Sequence, residues 1–518
     1  MTRRQVGKRR RPVQRLTPRR WLPFLALSAL VAGAVVVTRH HHPPDLTAQA
    51  AQAQTASIVP SVAPDQALST AWFCGGGTAR GAGGLAEMVL VIANDANQGA
   101  TADLTVYDDA GHQATAHVAV PADGRVRIDA ATIRTGQWVA ATVEVRGGRA
   151  VVEREVHGPD GFGATPCATG AGDHWYVPSG STLRGAEEYL TVFNPFPDPA
   201  SVDVTFATDT GLRTPASLSG FSIPGGALRT IRVADTVHDR SRVAAEIVAR
   251  TGRVVVDRVQ TYDGTGDTMA GSGPDAVTTP PPHGLVSTPA LLATASRWFF
   301  PGTVLGSGTR SQVAVFNPTA QAAAVNVTVA FQNPELNASV EPIQLTVPPN
   351  SQVTVDLTDQ VAILPGINFT IDVDSLAGVG IVSERLAFVG APAARRGAAV
   401  VSGSPVAATR WIVAQAGSTR YQAANVIVAN PGGRAAHLHV IELTRGTRRE
   451  VRSADIEVPA HDRRPLVLDG ISPSAALEIT SDQPVVVADG ISLSKGPGLS
   501  LALGEPFPEA VTLLPPSS

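Results

Sequence analysis

Three adjacent pairs of an acidic residue and an arginine are the features of this sequence that most resemble reactive groups. They are Glu153-Arg154, Asp257-Arg258 and Glu384-Arg385. Acid–base chemistry needs such residue types, but neighbouring residues of a β-strand point to opposite faces, so the members of one doublet do not pair with each other. Threefold recurrence also indicates a role that every copy needs. We therefore predict that the doublets tie strands or module junctions together, and that the chain is not an enzyme.

Other reactive combinations are weaker. His437 and His439 lie two residues apart on a predicted strand and share a face, but no third metal ligand accompanies them. The acidic clusters lack helix-loop-helix calcium spacing. The sequence has no Gly-x-Ser-x-Gly, His-Glu-x-x-His, Cys-x-x-Cys or Ser-x-x-Lys motif and no lysine in a phosphate loop. We expect no cofactor and no metal; loop calcium and a hydrolase site without a motif are the alternatives.

Two cysteines, Cys74 and Cys167, are the only ones in the chain. One follows the first tryptophan of the repeat pattern described below, and the other lies near the start of the second copy. If the chain is exported, a disulfide between them persists and closes a long loop. The alternative is a pair of unrelated buried thiols. We predict the disulfide.

Four diverged copies of one pattern fill the chain after residue 60. Each has a tryptophan, then an asparagine 19 or 22 residues later, then Val-Pro or Ile-Pro, then an acidic residue. Intervals of 103, 123 and 113 residues between the tryptophans fit single domains. The landmarks are Trp72, Trp175, Trp298 and Trp411; Asn194, Asn317 and Asn430, with Asn94 in the weaker first copy; and Glu153, Asp257, Glu384 and Asp489.

Short β-branched segments bounded by Gly, Pro, Asn and Asp predict an all-β fold. Alternation is clear at 202–206, where Val202, Val204 and Phe206 share one face. Seven such segments in the second copy fit an immunoglobulin-like sandwich. A four-bladed propeller is the rival architecture, but a blade takes roughly 40–50 residues. We therefore predict a tandem array of four immunoglobulin-like β-sandwich modules, arranged as beads on a string after one N-terminal transmembrane helix. The seven predicted strands are 175–177, 189–193, 201–207, 217–223, 228–233, 243–249 and 254–262.

The predicted organisation divides the chain into nine segments. They are a basic cytoplasmic tail (1–20), a transmembrane helix (21–38), a flexible stalk (39–60), module 1 (61–165), module 2 (166–262), a Gly/Pro-rich linker (263–287), module 3 (288–400), module 4 (401–505) and a loose tail (506–518).

Charge distribution sets the predicted topology. Residues 1–20 hold nine basic and no acidic residues, directly before the uncharged apolar segment 21–38. This asymmetry places the N-terminus in the cytoplasm and the modules outside the cell membrane. A cleaved signal peptide is the alternative, although the small-residue site at 48–50 lies far beyond the apolar run. The other residues carry more acidic than basic groups, which disfavours nucleic acid as a partner.

Aromatic residues bear on glycan binding. Only 5% of the chain is aromatic, and four of its six tryptophans are repeat landmarks, for which a core or interdomain role is commoner than a sugar platform. Trp138 is the best candidate for an exposed tryptophan and hence for a glycan contact. The segment 138–143 also fits a strand with an inward-facing tryptophan.

The basic tail, single helix, stalk and repeated Trp, Asn-Pro, Val-Pro and Glu-Arg landmarks together resemble a family of uncharacterised membrane-anchored extracytoplasmic proteins of actinobacteria, classed as a domain of unknown function. Its members are often encoded beside large membrane glycosyltransferases, which implies a role in envelope glycan assembly, and it supplies no catalytic residues. We expect a non-enzymatic scaffold or accessory protein of the cell envelope that presents β-sandwich surfaces to a protein partner, with a glycosyltransferase as one candidate. Binding of cell-wall glycan is the alternative.

Overall fold

The computed structural model describes residues 58–515 apart from residues 65, 148, 270–277, 333, 338–339, 361 and 452–455. The predicted basic tail, the predicted transmembrane helix and most of the predicted stalk lie outside this range. Within it, no helix is long and apolar enough to span a membrane. The described residues are nearly all β, with one four-residue α-helix, α1 (Pro334–Asn337), which confirms the all-β class.

Strands fall into four groups that follow the four sequence repeats. Repeat 1 contains β1 (Ser69–Ala79), β2 (Glu87–Asn94), β3 (Ala100–Asp108), β4 (Gln113–Val120), β5 (Gly124–Asp129), β6 (Gly136–Arg146), β7 (Ala150–Gly158) and β8 (Gly161–Pro166). Repeat 2 contains β9 (His174–Val177), β10 (Ala186–Asn194), β11 (Ala200–Thr208), β12 (Gly211–Arg213), β13 (Phe221–Ile223), β14 (Ala227–Arg232), β15 (Val243–Thr251), β16 (Val255–Asp263) and β17 (His283–Pro289).

The second half repeats this order. Repeat 3 contains β18 (Arg297–Val304), β19 (Thr309–Asn317), β20 (Ala323–Phe331), β21 (Ile343–Val347), β22 (Ser351–Asp356), β23 (Asn368–Ser375), β24 (Val382–Val389) and β25 (Gly397–Ser402). Repeat 4 contains β26 (Val406–Val413), β27 (Gln422–Ala429), β28 (Ala436–Thr444), β29 (Thr447–Glu450), β30 (Ile456–Val458), β31 (Arg463–Pro465), β32 (Ala476–Leu493), β33 (Leu499–Leu503), β34 (Glu505–Pro506) and β35 (Val511–Leu513).

Each repeat builds two strand layers, which we call the inner and outer sheets. The inner sheet carries the acidic residue of the doublet on its third strand, and its orders are β5-β2-β7-β8, β14-β10-β16-β17, β22-β19-β24-β25 and β31-β27-β32-β33. The outer sheet contains the landmark tryptophan, for example in β4-β3-β6-β1 and β12-β11-β15-β9. In repeat 1 a short parallel pairing of β1 with β2 joins the two layers, and in repeat 4 the 18-residue β32 runs through both. Buried side chains of the two layers of repeat 2 share one hydrophobic cluster.

The four inner sheets close into a ring. Strand β8 lies against β17 and β33, and β25 lies against the same two strands, so the last inner strands of all four repeats meet. Glycines allow this approach: a Cβ on Gly284 would lie 2.2 Å from the backbone nitrogen of Ala398. Hydrophobic clusters also cross the repeat boundaries. The beads-on-a-string expectation is therefore wrong, because the inner sheets of the four repeats pack against one another.

Comparison with the predicted strands of repeat 2 shows where local pattern was sufficient. Six of the seven predicted segments coincide with strands, whereas 217–223 is a 3-10 turn followed by the short β13. Strands β12 and β17 were not predicted. The predicted linker is corrected in part, because its residues 283–287 lie in β17, which pairs with β16 along its full length.

Both ends of the described chain also join the ring. The predicted loose tail is wrong for residues 506–513, since β34 and β35 pair with β26. The last residues of the predicted stalk are packed: Val59 is buried, and residues 58–60 line a small cavity where all four repeats meet. The backbone nitrogen of Val62 donates to the carbonyl of Pro506 at 3.0 Å, which places the first and last described segments side by side.

The landmark tryptophans clamp the two layers of each repeat together. All four are fully buried. In repeats 2 to 4 the indole nitrogen donates to a backbone carbonyl next to the doublet strand: Trp175 to Val254 at 2.9 Å, Trp298 to Ile381 at 2.8 Å and Trp411 to Val485 at 3.0 Å. The indole nitrogen of Trp72 is buried without a hydrogen bond. In that repeat the predicted disulfide, Cys74–Cys167, is present and joins β1 to the segment after β8.

The landmark asparagines hold the Val-Pro or Ile-Pro turn. The side-chain nitrogen of Asn194 donates to the carbonyls of Asp198 at 2.8 Å and Ile223 at 3.2 Å. Asn317 and Asn430 make the equivalent pair of bonds, whereas the second bond of Asn94 goes to the carbonyl of Pro121, the proline of its Val-Pro turn. Repeat 1 keeps this geometry without a following proline. The asparagine amide, and not a following proline, is therefore the common structural element.

Candidate functional site

The acidic-arginine doublets lie at the contacts between successive repeats, which we call junctions 1/2, 2/3, 3/4 and 4/1. At junction 1/2, Nη2 of Arg154 lies 2.7 Å from Oδ1 of Asp257, and both side chains are fully buried. The backbone nitrogen of Gly75 donates to the other oxygen of Asp257 at 2.9 Å. The arginine of one repeat thus meets the acid of the next, so this ion pair lies at a module junction, one of the two places predicted for the doublets.

Junction 2/3 repeats this arrangement with more hydrogen bonds. Arg258 forms a bidentate pair with Glu384, at 3.0 and 3.2 Å. It also donates to Oγ1 of Thr288 at 2.7 Å and to the carbonyl of Ser179. The hydroxyl of Ser179 donates to Glu384 at 2.6 Å. Because a buried charge requires both a partner and hydrogen bonds, this network lets the pair exist inside the ring.

Junction 4/1 departs from the rule. Gly490 occupies the position of the doublet arginine after Asp489, and Nε2 of Gln415 instead donates to Oε2 of Glu153 at 2.9 Å. Burial raises the pKa of Glu153 to about 7, and it raises the pKa of Asp489 and of Glu505 well above the usual range. Both carboxylate oxygens of Glu505 are buried without a hydrogen bond. Junction 4/1 therefore contains carboxyl groups whose raised pKa values favour the protonated, neutral form.

A second charge network, nearer the surface, helps to close the ring at junction 4/1. Arg448 of repeat 4 lies 2.9 Å from a carboxylate oxygen of Asp95 in repeat 1. Arg410 lies 2.7 Å from Glu478 and 3.3 Å from Asp95. The guanidinium of Arg125 adds bonds to two carbonyls of repeat 4, at 2.9 and 2.8 Å. The first and last repeats are thus joined by ionic contacts that local sequence pattern did not indicate.

A cavity with polar and apolar walls lies at junction 2/3. Its volume is about 380 Å³. Arg184 and Arg242 of repeat 2 line it together with Gln312, Gln352 and other residues of repeat 3. An apolar wall completes it, formed by Leu386, Met269 and the edge-to-face pair of Tyr262 and Phe388, whose ring centroids lie 5.2 Å apart.

The corresponding place at junction 1/2 is filled by aromatic side chains. Trp138 packs against Tyr189 with ring centroids 5.0 Å apart, and Tyr107 packs against Phe193 at the same distance. Trp138 is only 7% exposed. The expectation that Trp138 is exposed is therefore wrong, and the inward-facing alternative is the observed one.

Strand register shows that these two places are equivalent. In each repeat the landmark tryptophan pairs with a residue on the neighbouring outer strand: Val143 in repeat 1 and Ile247 in repeat 2. Counting back five residues from that partner gives Trp138 in repeat 1 and Arg242 in repeat 2. On the other side of the junction, Tyr189 and Gln312 each precede the residue that pairs with the doublet arginine. An aromatic pair at one junction thus becomes a cationic and an amide side chain at the next.

Glu188 lies behind the cavity. Its carboxylate packs against Gly180, where a Cβ would lie 2.2 Å from Oε2. That oxygen is buried and has no hydrogen bond. Burial raises the pKa of Glu188 to about 8, with Glu384 adding to the shift and Arg258 opposing it. The equivalent residue of repeat 1, two positions before the partner of the doublet arginine, is Met88.

No part of the described chain assembles three or more His, Cys, Asp or Glu side chains in a way that could hold a metal ion. Sequence reasoning found the doublets and the disulfide, but it missed Gln415, Glu505, Glu188 and Arg242. Aligning the repeats by register would have revealed Glu188 and Arg242, because each replaces an apolar or aromatic residue of repeat 1. Gln415 and Glu505 carry no such signal.

Comparison with known sequences places the chain. The family model described as "Family of unknown function (DUF5719)" matches residues 150–286 and 266–488, which together span more than half of the chain. The chain belongs to this family. A comparison with curated proteins finds no match.

Likenesses to solved structures are remote. A Thermotoga maritima protein described as "1070" shares 15% identity over 23% of this chain and 92% of its own, with a TM-score of 0.17. A tetra-tandem repeat from the extending region of a large adhesion protein shares 12% identity over 83% and 99%, with a TM-score of 0.09. Streptomyces avermitilis alpha-L-rhamnosidase shares 10% identity over 84% and 56%, with a TM-score of 0.10. These values carry no argument about function.

Proposed function

We propose that this protein is a non-enzymatic scaffold or accessory protein of the cell envelope. In this proposal the segment 21–38 crosses the cell membrane once with the N-terminus inside, and four immunoglobulin-like β-sandwich modules lie outside. The modules present their surfaces to an envelope or membrane protein, and a glycan-assembling enzyme such as a glycosyltransferase is the first partner to seek.

The observation that carries the proposal is the use of the doublets. Two doublet ion pairs, Arg154–Asp257 and Arg258–Glu384, are buried between repeats. Asp257 also accepts from the backbone of Gly75, and Arg258 donates to the carbonyl of Ser179. Because these doublet side chains are buried in ion pairs between repeats, they hold the repeats together and are not exposed to a substrate. A closed ring with four outer sheets is a rigid platform, and rigidity favours binding because less conformational freedom is lost on association.

Photo-crosslinking in living cells tests the partner. A photoreactive amino acid replaces one exposed residue in each repeat: Ala119, Leu212, Leu376 and Tyr421. We expect one envelope or membrane protein to be captured from one or two neighbouring positions. The buried Val204 is the matched negative position. Equal capture of many proteins from every exposed position, or of none despite good expression, contradicts a scaffold role.

A ring-opened variant separates a specific partner from general stickiness. Arg258→Ala removes the charge that compensates Glu384 at junction 2/3, whereas Arg213→Ala removes a surface arginine of the same repeat. We expect capture to fall in the first variant and to persist in the second. Topology is checked by adding protease to wall-stripped cells, which should digest the repeats; complete protection would refute the membrane arrangement.

A further inference from the structure

The cavity at junction 2/3 contains a cationic group with no counter-charge of its own. Arg310 pairs with Asp356 at 2.6 Å and with Asp359 at 3.2 Å, and Arg184 pairs with Asp267 at 2.7 Å. Within the described residues, the guanidinium of Arg242 makes no ion pair or side-chain hydrogen bond. A partly buried arginine that faces a cavity in this state favours an anion, because its planar donors suit a carboxylate or a phosphate.

The opposite wall offers hydrogen bonds of a different kind. Nε2 of Gln352 donates to Oγ1 of Thr354 at 2.7 Å, while its Oε1 is buried without a partner. Gln312 donates to Asp356 at 2.9 Å. Since a buried acceptor left unpaired costs free energy, the side-chain amide of Gln352 gains a partner if it turns its oxygen toward the cavity and accepts from a ligand hydroxyl group.

Size and shape limit the ligand further. A volume of about 380 Å³ lies at the lower end of the roughly 300–1,000 Å³ of ligand sites. The apolar wall of Leu386, Phe388 and Tyr262 suits a ligand that presents a face of C–H groups. Sugars that carry a carboxylate or a phosphate combine an anionic group, several hydroxyls and such a face, and few other small molecules do.

We propose that the cavity at junction 2/3 binds an anionic sugar, with Arg242 on the anionic group and Gln352 on a hydroxyl. The same position at junction 1/2 is filled by Trp138 against Tyr189, so the site exists once along the first three repeats. This inference goes beyond the scaffold role and does not depend on any protein partner.

Calorimetric titration of the full-length protein in detergent tests the inference. Glucuronate and glucose 6-phosphate are the two anionic probes, and their relative affinities show whether carboxylate or phosphate is preferred. Glucose, acetate and inorganic phosphate are the controls. We expect at least one anionic sugar to bind at least about tenfold more tightly than glucose and than its own bare anion, because each control lacks one set of hydrogen bonds.

Variants then locate the site. We expect Arg242→Ala to weaken binding of the anionic sugar by about tenfold or more and Arg242→Lys to restore part of it, because lysine keeps the charge without the planar donors. Gln352→Leu should weaken the anionic sugar but leave acetate and phosphate unchanged. Arg213→Ala, which removes an exposed arginine on β12, is the matched control and should bind as the natural protein does.

Three outcomes overturn the proposal. Glucose binding as tightly as the anionic sugars removes the role of the charge. Acetate or phosphate binding as tightly as the sugars removes the role of the hydroxyls. Unchanged binding by Arg242→Ala places any site elsewhere. Thermal unfolding of each variant is measured beside the titration. If Arg242→Ala is destabilised, binding of the anionic sugar by Arg242→Lys and by Gln352→Leu tests the proposal instead.

Discussion

Junctions 1/2 and 2/3 share one backbone register and one type of buried ion pair, yet one is sealed and the other is open. At junction 1/2, Trp138 and Tyr189 fill the space between the outer sheet of one repeat and the inner sheet of the next. At junction 2/3, Arg242 and Gln312 occupy the same positions and border a cavity of about 380 Å³. A buried ion pair joins the repeats at both junctions, so the side chains beside it can differ without separating the repeats. Duplicated repeats can therefore keep their assembly and gain a cavity by changing a few side chains.

The largest effect is expected from breaking the shared feature. Arg154→Ala leaves Asp257 buried without its counter-charge, and the loss of one partner of a buried pair costs about 3–5 kcal/mol. Guanidinium denaturation measures the change. Replacing both residues, as Arg154→Met with Asp257→Leu, should recover most of the loss, because no buried charge is then left alone. A loss below about 1 kcal/mol in the single variant would show that the pair does not hold the junction.

A somewhat smaller effect is expected from the disulfide, which only repeat 1 has. The Cys74–Cys167 bond closes a loop with a sequence separation of 93, and loop-closure entropy for that length gives at most about 4 kcal/mol. Cys74→Ala with Cys167→Ala should lower the stability of repeat 1 most. Hydrogen exchange followed by mass spectrometry should show faster exchange in β1 and β8 than in β24. Uniform exchange changes in all four repeats would instead indicate that the ring unfolds as one unit.

The difference between the two junctions also predicts that the stability of the protein depends on pH through a residue of junction 2/3. Glu188 has a pKa of about 8 in the folded protein and an ordinary, lower pKa when unfolded. Because the folded state holds the proton of Glu188 more tightly than the unfolded state does, protonated Glu188 stabilises the fold. This stabilisation is fully present below the unfolded pKa and is lost as pH rises through about 8. At roughly 1.4 kcal/mol per pKa unit, the rise from the ordinary 4.5 to about 8 corresponds to about 5 kcal/mol over the full pH range.

Glu188→Met copies the residue of repeat 1 and removes this titration. Unfolding midpoints measured between pH 5 and pH 9 should fall with rising pH less steeply in the variant than in the natural protein. Glu187→Met, at a neighbouring and more exposed carboxylate, is the matched control. Equal slopes in Glu188→Met and the natural protein would place the pH dependence elsewhere.

The smallest effect on stability is expected from closing the open junction. Arg242→Trp with Gln312→Tyr copies the aromatic pair of junction 1/2 into junction 2/3. Filling an existing cavity should change stability by less than about 1.5 kcal/mol, while binding of any anionic sugar should be lost. Tryptophan fluorescence of the added residue should report a buried environment. A solvent-exposed spectrum would show that the two junctions are less alike than their register indicates.

The sequence by itself determined the local structure. Alternating β-branched residues and turn-forming Gly, Pro, Asn and Asp predicted the all-β class and six strands of repeat 2, because these signals act over a few residues. Two cysteines in a chain predicted to be exported gave the disulfide. The recurrence of the doublets predicted that they tie strands or module junctions together, since opposite-facing neighbours on a strand must reach two different partners.

Tertiary structure alone decided what those partners are. The chain closes into a ring because the last inner strand of every repeat has small residues that let four backbones meet, and no local pattern reports the distance between Gly284 and Ala398. Closure buries Trp138, pairs Arg154 with Asp257 and leaves Arg242 beside a cavity. Each of these contacts joins residues from different repeats, and the physical environment of such residues depends on packing that exists only after the four repeats have assembled.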